Sequence, residues 1–520
     1  MSLPSSRSPR LFRGSVLCAI AAGALLLAGC QTYTQQSAGF AEAWRSGRLQ
    51  SAVDAASAKA AGAEGGKDAV VWDLELGSAL RTSALAAGQQ PVAADAATTM
   101  GGGQGDPAPA IPPVEVSRLK GSQEAFGNAE SRIQHYDELA KVRVGSQTAA
   151  MLTNLANLPY EGHGYDRVML HTYSALNWLQ LGDYDRARVE LNRGLQSQRD
   201  LVARNSRRIL QTQAEARKAR EGALAVNGQP APYDVGRAEQ DPQLQSQISQ
   251  IESGLAARMK GYGPYVNPFS VFLDGLFFTV RADGPSDMER ARLSMERAAG
   301  MNPDNSYLRA DLRVAENLPT GASDDGTTYV VFETGSAPSL DELRIDVPTF
   351  AFTNRVAYVG AALPVLHFHD TYLPAVTVEA GGRGYRTELV CSMDSVVAQD
   401  YRDDFRSVLV KTLISTGIKA AASAAIQNQF KDQGQAAQLL TGLLTGITSY
   451  ATTVADTRSW TALPKEFQYC RFPTPPDGLV TVDAGNAKYV VKLRPGRVNL
   501  LYVRSIAPGL PVYLSQTVLK

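Results

Sequence analysis

The sequence has no excess of charge of either sign. It contains 51 basic and 51 acidic residues in a chain of 520. A strongly basic chain would carry the electrostatic field that attracts nucleic acid or an anionic lipid surface. This chain carries no such global field, and we therefore expect no nucleic-acid partner.

The sequence also lacks the motifs of common catalytic and nucleotide-binding sites. It contains no P-loop, no glycine-rich dinucleotide turn after a strand, no HExxH and no GxSxG. Of its five histidines, His367 and His369 would share one face of a strand, but a tetrahedral metal site needs further ligands. We expect a protein that is not an enzyme, with no catalytic residues, no cofactor and no metal site.

Long apolar runs are missing everywhere except at the N-terminus. There, three arginines and no acid precede the run SVLCAIAAGALLLAG, which ends directly before Cys30. A basic start, a short apolar run and small residues before the cut are typical of a secretory signal. The run is shorter than the roughly 20 residues of a membrane-spanning helix. Residues 1–29 are therefore predicted to be a signal peptide.

The last residues of this segment, Leu27-Ala28-Gly29-Cys30, resemble a lipobox, in which the cysteine thiol is acylated before cleavage. We predict lipidation of Cys30 and attachment of the mature chain to a membrane through that lipid. Cleavage removes three arginines, which leaves 48 basic against 51 acidic residues. The next residue is Gln31 rather than Asp, and by analogy with Gram-negative sorting this predicts the periplasmic face of the outer membrane.

Cysteine is scarce in the mature chain. Cys18 leaves with the signal peptide and Cys30 is acylated, so only Cys391 and Cys470 remain. Two cysteines in an oxidising compartment can pair, and a bridge closing about 80 residues would stabilise the fold by roughly 4 kcal/mol. The alternative is two buried thiols that behave as small apolar side chains. The sequence leaves both open.

The first half of the mature chain, residues 30–318, is predicted to be an α-helical domain with a weak internal repeat. In YDRVMLHTYSALNWLQLGDYDRARVELNRGL, small and aromatic residues occupy the positions typical of a tetratricopeptide repeat. Ala187 is predicted to lie in the contact between two antiparallel helices. A second unit, DMERARLSMERAAGMNP, matches the second helix of the repeat, and a fainter one surrounds Trp44 and Trp72.

Two segments interrupt the helical pattern. Residues 88–116 are rich in Gly, Pro and Ala and are predicted to be a flexible insert. Residues 183–260 are predicted to be a helical arm, because apolar residues recur there at coiled-coil spacing. The predicted seam joins Leu195, Val202, Ile209 and Ala216 to Leu244, Ile248, Ile251, Leu255 and Met259.

The second half, residues 327–520, is predicted to be an α+β domain. β-branched and aromatic runs of strand length, bounded by Gly, Pro and Asp, indicate a mostly antiparallel sheet. The glycines of EAGGRGYR predict a hairpin turn. In ADTRSWTALP, Asp456 and Arg458 are predicted to form an ion pair that fixes the loop, beside Trp460.

A helical excursion interrupts the strands over residues 396–450. Its two apolar segments, joined near Gly434, predict an inserted helical hairpin, with Leu409, Leu413 and Ile414 on one face of its first helix. Polar residues interrupt both segments, and each is too short to span a bilayer. The main prediction is that the hairpin packs on the sheet. The alternative is that its apolar face mediates self-association or touches the lipid surface.

Three stretches resemble an uncharacterised family of bacterial envelope lipoproteins with tetratricopeptide-like repeats. They are FETGSAPSLDELRIDVP, VNPFSVFLDGLFF with the ERARLSMERAAGMNP that follows, and the segment from Asp456 to Pro464. The resemblance covers nearly all of the mature chain apart from the insert 88–116. It implies a fold of helical repeats but brings no established activity and no functional residues.

These features predict a lipid-anchored, non-enzymatic scaffold or adaptor of the cell envelope. Helical repeats form concave surfaces suited to peptides and protein segments, so envelope proteins or peptides are the expected partners. The alternative is a regulatory subunit or activator of an envelope enzyme, such as a peptidoglycan synthase or a component of an exporter. Relatives that activate peptidoglycan synthases are the basis of that alternative.

Overall fold

A computed structural model describes residues 32–88, 111–142, 155–221, 225–226, 229–230, 233–260, 262–348, 358–429 and 454–520. The predicted signal peptide, Cys30, most of the predicted insert and the second helix of the predicted hairpin lie outside these residues. Within them, no helix combines the length and the apolar character needed to cross a membrane.

Helices dominate the first part of the chain. In chain order they are α1 (Tyr33–Gln36), α2 (Ala38–Arg45), α3 (Leu49–Gly62), α4 (Ala69–Gly88), α5 (Pro113–Val142), α6 (Gly164–Gln180), α7 (Tyr184–Arg220), α8 (Val235–Glu239), α9 (Pro242–Ala256), α10 (Pro268–Val280), α11 (Pro285–Met301) and α12 (Ser306–Glu316), with short 3₁₀ turns at Leu155–Asn157 and Leu318–Thr320. Helix α5 begins at Pro113, within the last residues of the predicted insert. Proline fits the first turn of a helix because its missing N–H has no partner there in any case.

Neighbouring helices pair as antiparallel hairpins. Between α6 and α7 the chain reverses at Gly182, whose φ of 78° lies in the left-handed region that glycine adopts readily. The Asp183 side chain then caps α7 by accepting a hydrogen bond from the backbone N–H of Arg186. Ala175 of α6 and Ala187 of α7 are both fully buried in the same hydrophobic core, as the predicted contact of Ala187 requires.

The strands follow from residue 225 onward. They are β1 (Ala225–Val226), β2 (Gln229–Pro230), β3 (Thr327–Thr334), β4 (Ser339–Pro348), β5 (Tyr358–His367), β6 (Thr377–Ala380), β7 (Arg383–Arg386), β8 (Glu388–Ser392), β9 (Glu466–Pro473), β10 (Leu479–Asp483), β11 (Lys488–Lys492), β12 (Val498–Ser505) and β13 (Tyr513–Val518). Between β8 and β9 lies helix α13 (Met393–Gln429). The predicted turn in EAGGRGYR is confirmed, because β6 pairs with β7 around Gly381 and Gly382.

A five-stranded sheet in the order β13-β12-β3-β9-β8 forms the centre of the molecule. Only the pairing of β12 with β3 is parallel in this sheet; the others are antiparallel. A second sheet has the order β11-β10-β6-β7, and β4 pairs with β5 as a separate ribbon. The mixed α+β class, with helices first and mostly antiparallel sheets after them, is therefore as predicted.

The two faces of the central sheet bury different partners. One face shares a hydrophobic core with the helices, in which Tyr329 and Phe467 of the sheet join Phe126 and Phe269. The Phe269 and Phe467 rings stack with centroids 3.9 Å apart. The other face packs on the second sheet through residues such as Val330 and Val480. The core is thus continuous across the predicted boundary between residues 318 and 327.

The predicted coiled-coil seam of the arm is wrong at two of its α7 positions. Val202 and Ile209 are 50% and 43% exposed, whereas a seam would bury both. On the other side, Leu244 of α9 is buried, but in a cluster with Ile345 of β4 and Phe405 of α13. Ala216 of α7 and Ile248 and Ile251 of α9 pack against the same cluster, so this end of the predicted seam does bring the two helices together. The spacing could not show that the β4–β5 ribbon and α13, which come later in the chain, share the contact.

Helix α13 corresponds to the first helix of the predicted hairpin. Leu409, Leu413 and Ile414 are buried, as the predicted apolar face requires, and they pack in the cluster that includes the β4–β5 ribbon. The second helix lies outside the described residues, so the hairpin itself stays a prediction.

Of the two alternatives left open for Cys391 and Cys470, the structure has the two buried thiols. Cys391 and Cys470 are both free and buried. Cys391 on β8 belongs to the core under the helices, whereas Cys470 on β9 belongs to the core between the two sheets. The two thiols therefore project from opposite faces of the central sheet, which no bridge can join without moving the backbone. Burial raises the pKa of both thiols, so they behave as small apolar side chains.

Candidate functional site

Helix α7 presents apolar side chains to solvent along one side. Val202, Ile209 and Leu210 are 50%, 43% and 66% exposed, and Ala203 between them is exposed as well. Residues seven and eight positions apart lie on the same side of a helix. We call these four residues the α7 patch.

Basic side chains surround the α7 patch. Arg199, Arg207 and Arg217 are exposed on this side of the helix. From residue 199 to residue 217 the helix carries five arginines and two acids, Asp200 and Glu215, so this stretch has a local excess of positive charge although the whole chain is nearly neutral. An apolar centre with a charged rim is the composition of many protein-binding surfaces.

The opposite side of α7 is fixed by polar contacts. Arg208 forms an ion pair with Asp404 of α13, and the Thr212 hydroxyl donates to the Ser407 hydroxyl at 3.2 Å. Arg204 pairs with Asp137 of α5, with 3.0 Å between Nη1 and Oδ1. These contacts hold the helix from two neighbouring elements and leave the α7 patch facing outward.

Arg208 also borders a buried polar cluster made by His163, Asp166 and Asp400. Asp166 accepts the Tyr160 hydroxyl at 2.5 Å and the backbone N–H of His163 at 2.9 Å, both on Oδ2. The remaining oxygens, Asp166 Oδ1 and Asp400 Oδ1, are buried, and neither has a hydrogen-bond partner among the described residues. Buried carboxylate oxygens without a partner are rare in native proteins.

The surroundings of this cluster change its protonation. Burial, reinforced by the negative charge of Asp404, raises the pKa of Asp400 to about 7. Burial alone would lower the pKa of His163, but the charges of Asp166, Asp400 and Asp404 outweigh it and raise that pKa. The cluster therefore retains protons near neutral pH that the same groups would release in an unfolded chain.

A small cavity adjoins Asp400. Its volume is about 10 Å³, and Tyr165, Tyr262 and Tyr265 contribute to its lining. Tyr265 has a φ of 57°, which is uncommon for an aromatic residue. A cavity of this size holds a single water molecule and no organic substrate, so the cluster can store a proton or bind water but cannot accommodate a larger ligand.

A second buried network joins the helices to the central sheet. Glu333, in the FETG stretch, accepts the hydroxyls of Tyr173 and Tyr502 at 2.5 Å each and pairs with the buried Arg504. The Arg81 guanidinium lies 4.8 Å from the centroid of the Tyr502 ring. Every one of these groups is buried, so this network positions the sheet against the helices.

The Asp456–Pro464 stretch contributes to the same junction. Arg458 pairs with Asp456 at 2.6 Å, which confirms the predicted ion pair, and it also donates to the carbonyl oxygen of Leu158 at 2.8 Å. Trp460 donates its indole N–H to the Ser78 hydroxyl at 2.9 Å. Two of the three stretches behind the family resemblance therefore build the contact between helices and sheet.

The sequence-predicted site residues are not gathered in one place. His367 and His369 have ring centroids 5.0 Å apart, but Asp370 pairs instead with Arg258 at 2.7 Å and with Lys465 at 3.0 Å. Cys30 lies outside the described residues. The α7 patch was missed as a surface, although its heptad spacing was visible, because the spacing was assigned to an internal seam.

Comparisons of the chain with protein-family models, with curated proteins and with solved structures find no match. The resemblance to envelope lipoproteins is therefore carried by the sequence stretches alone.

Proposed function

We propose that the protein is a non-enzymatic scaffold of the bacterial cell envelope, anchored by lipid on Cys30 at the periplasmic face of the outer membrane. In this proposal the helical hairpins pack as tetratricopeptide-like repeats. The α7 patch binds an amphipathic helix of an envelope protein partner.

The observation that carries the proposal is the exposure of Val202, Ile209 and Leu210 on a helix whose other side is fixed. Leu195, Val202 and Ile209 follow one another at seven-residue spacing, the repeat with which one helix receives another. Exposed large apolar residues that lie side by side on a soluble surface are typical of interaction sites.

The charge around the α7 patch indicates the chemistry of the partner helix. Arg199, Arg207 and Arg217 are strong donors to carboxylates. A partner with an apolar stripe and acidic flanking residues would bury its stripe against the α7 patch and pair its acids with these arginines. The charges would mainly speed association and select the partner, while the apolar contacts supply affinity.

The non-enzymatic part of the proposal is supported by how the charged groups are used. Two ion pairs with buried arginines, Glu333 with Arg504 and Asp456 with Arg458, are engaged in contacts between helices and sheet. The cavity next to Asp400 is too small for an organic substrate.

The test is site-specific cross-linking in cells that make the full chain. A photo-reactive residue at position 210 should capture one or a few defined envelope proteins. The double variant Val202→Glu/Ile209→Glu, combined with the probe at 210, should reduce that capture at least tenfold, because two charges then occupy the apolar contact.

The matched control is Gln245→Glu, which adds a charge to an exposed position on α9, outside the α7 patch and its rim. It should leave capture unchanged. Equal capture by wild type and the double variant, with both proteins folded and present at the same level, would show that the α7 patch is not the binding surface.

A further inference from the structure

Three potential metal ligands converge where helices α5, α6 and α7 meet. Glu130, His171 and Glu190 come one from each helix, and their ligating atoms all lie within 4.8 Å of one another. His171 Nδ1 is 2.8 Å from Glu190 Oε2. His171 and Glu190 are buried and Glu130 is partly buried, so helix packing fixes the three side chains before any ligand arrives.

We propose that Glu130, His171 and Glu190 form a binding site for one divalent first-row transition-metal ion. One imidazole nitrogen and two carboxylates are a ligand set that suits Zn²⁺ and neighbouring ions, with water completing the coordination. Glu130 keeps 19% of its side chain exposed, which gives an ion and its water a route from solvent.

Arg193 occupies the position where a cation is needed. Its Nη1 lies 3.0 Å from Glu190 Oε1 and 3.4 Å from Glu130 Oε2. The guanidinium thus neutralises two carboxylates that would otherwise repel each other. Half of the Arg193 side chain is exposed, at 49%, so it can turn to solvent without opening the core.

An ion would replace two existing interactions. It would displace the Arg193 guanidinium from both carboxylates, and it would replace the hydrogen bond between His171 and Glu190 with two coordination bonds. His171 must present an unprotonated nitrogen to the ion, so binding weakens at acid pH. The bound ion would link α5, α6 and α7 and stabilise the native state by mass action.

The role of Arg193 distinguishes a metal site from a simple ion-pair network. If the four residues serve only as ion pairs, Arg193→Gln removes the cation between the two carboxylates and creates no metal affinity. If they form a metal site, Arg193→Gln removes the competing cation and strengthens binding.

The experiment measures Zn²⁺ binding to the purified full chain by calorimetry and by metal analysis after dialysis. We expect one equivalent of Zn²⁺ with a dissociation constant in the micromolar range or below, and a higher melting temperature when the ion is present. His171→Ala and Glu130→Gln should each weaken binding at least tenfold, and Arg193→Gln should strengthen it about tenfold. Mg²⁺ should not compete, because it prefers oxygen ligands alone.

His135→Ala is the matched control, since His135 is an exposed histidine on the same helix as Glu130, and it should leave Zn²⁺ binding unchanged. Glu130→Gln preserves the shape of a side chain at the edge of the site. It therefore tests the proposal even if His171→Ala unfolds the chain. The proposal is overturned if the full chain binds no Zn²⁺ in a saturable manner, or if Glu130→Gln and Arg193→Gln bind it like the wild type.

Discussion

The cysteines show how the role of a residue depends on its surroundings. Cys391 and Cys470 are enclosed on opposite faces of the central sheet, where burial raises the pKa of each thiol. A thiol reacts as the thiolate, so neither is suited to exchange or metal binding. Cys30, by contrast, directly follows a predicted signal peptide, and its chemistry would be set by the processing machinery.

We predict that Cys30→Ser abolishes lipid attachment. The serine hydroxyl cannot take the place of the thiol that is acylated before cleavage, so the variant should accumulate as uncleaved precursor. Metabolic labelling with a fatty acid, followed by purification of the protein, measures the attachment.

Cys391→Ser is the control, because it removes another thiol and leaves position 30 unchanged; it should be labelled like the wild type. Normal cleavage of Cys30→Ser with undiminished label would contradict the lipoprotein prediction and the membrane assigned with it.

Single residues could be predicted from the sequence where their partners lie close along the chain. Asp456 and Arg458 lie two positions apart, and the structure forms this ion pair. Whether Cys391 and Cys470 could pair depends on which face of the central sheet each side chain occupies. The sequence did not reveal that Cys391 pairs across β8 and β9 with Phe467, three residues before Cys470, which places the two thiols on opposite faces.

At the scale of elements, helix identity was easier to predict than helix partners. The α6–α7 hairpin was predicted from small residues and Gly182, which are local signals. The apolar spacing of α7 and α9 was equally clear, but it gives only the direction of an apolar face. The β4–β5 ribbon and helix α13, which contribute to the cluster around Leu244, begin only at Ser339 and Met393, far later in the chain.

We predict that Ala187→Leu destabilises the full chain by roughly 1–3 kcal/mol. Ala187 is fully buried between α6 and α7, where a larger side chain would push the two helices apart. Urea unfolding followed by circular dichroism measures the change in the free energy of unfolding.

Gln213→Leu introduces the same side chain at an exposed position of α7 and should change the free energy of unfolding by at most about 0.5 kcal/mol. If the two variants are equally stable, Ala187 does not lie in a close-packed contact between helices.

At the scale of the whole molecule, burial of acidic groups couples the fold to pH. Burial raises the pKa of Glu75 to about 8, that of Asp400 to about 7 and that of Asp73 and Asp311 to about 6. In each case the native state holds a proton that the unfolded chain releases at lower pH. A raised pKa contributes stability that is present below the unfolded value and is lost as pH rises through the folded value.

Two other groups have a lowered pKa and reduce stability at acid pH. They set the pH range in which the effect of the buried acids on the free energy of unfolding can be measured. Burial and the charge of Arg45 lower the pKa of His369 to about 4, which reduces stability as pH falls below about 6.5. Arg258 and Lys465 hold the pKa of Asp370 far below its usual range. Asp370 therefore loses its charge, and with it these two ion pairs, only in strong acid. Above pH 6.5 the buried acids Glu75 and Asp400 therefore dominate, together with His163, whose pKa the neighbouring carboxylates raise.

We predict that the free energy of unfolding falls between pH 6.5 and 8.5. Each proton that the native state retains and the unfolded state lacks changes that free energy by about 1.4 kcal/mol per pH unit. Asp400→Asn cannot release a proton, so its stability should fall less steeply between pH 6.5 and 7.5. Glu75→Gln should flatten the profile between pH 7.5 and 8.5. Chemical denaturation of the full chain at these three pH values gives the slopes.

The slope of the free energy of unfolding against pH also distinguishes the loss of a buried proton from a general loss of stability. Asp304→Asn alters an exposed aspartate and should keep the wild-type slope, whatever its absolute stability. Asp400 contacts the backbone of Tyr165 and lies near His163, Asp404 and Arg208. Asp400→Asn therefore changes the free energy of unfolding at every pH. Only the change in its slope against pH reports the buried proton. A wild-type profile that is flat or rising from pH 6.5 to 8.5 would mean that Glu75 and Asp400 are ionised in the folded protein. Water or a bound cation would then have to compensate their charge. It would contact Asp400 Oδ1, which lies beside the cavity and has no hydrogen-bond partner among the described residues.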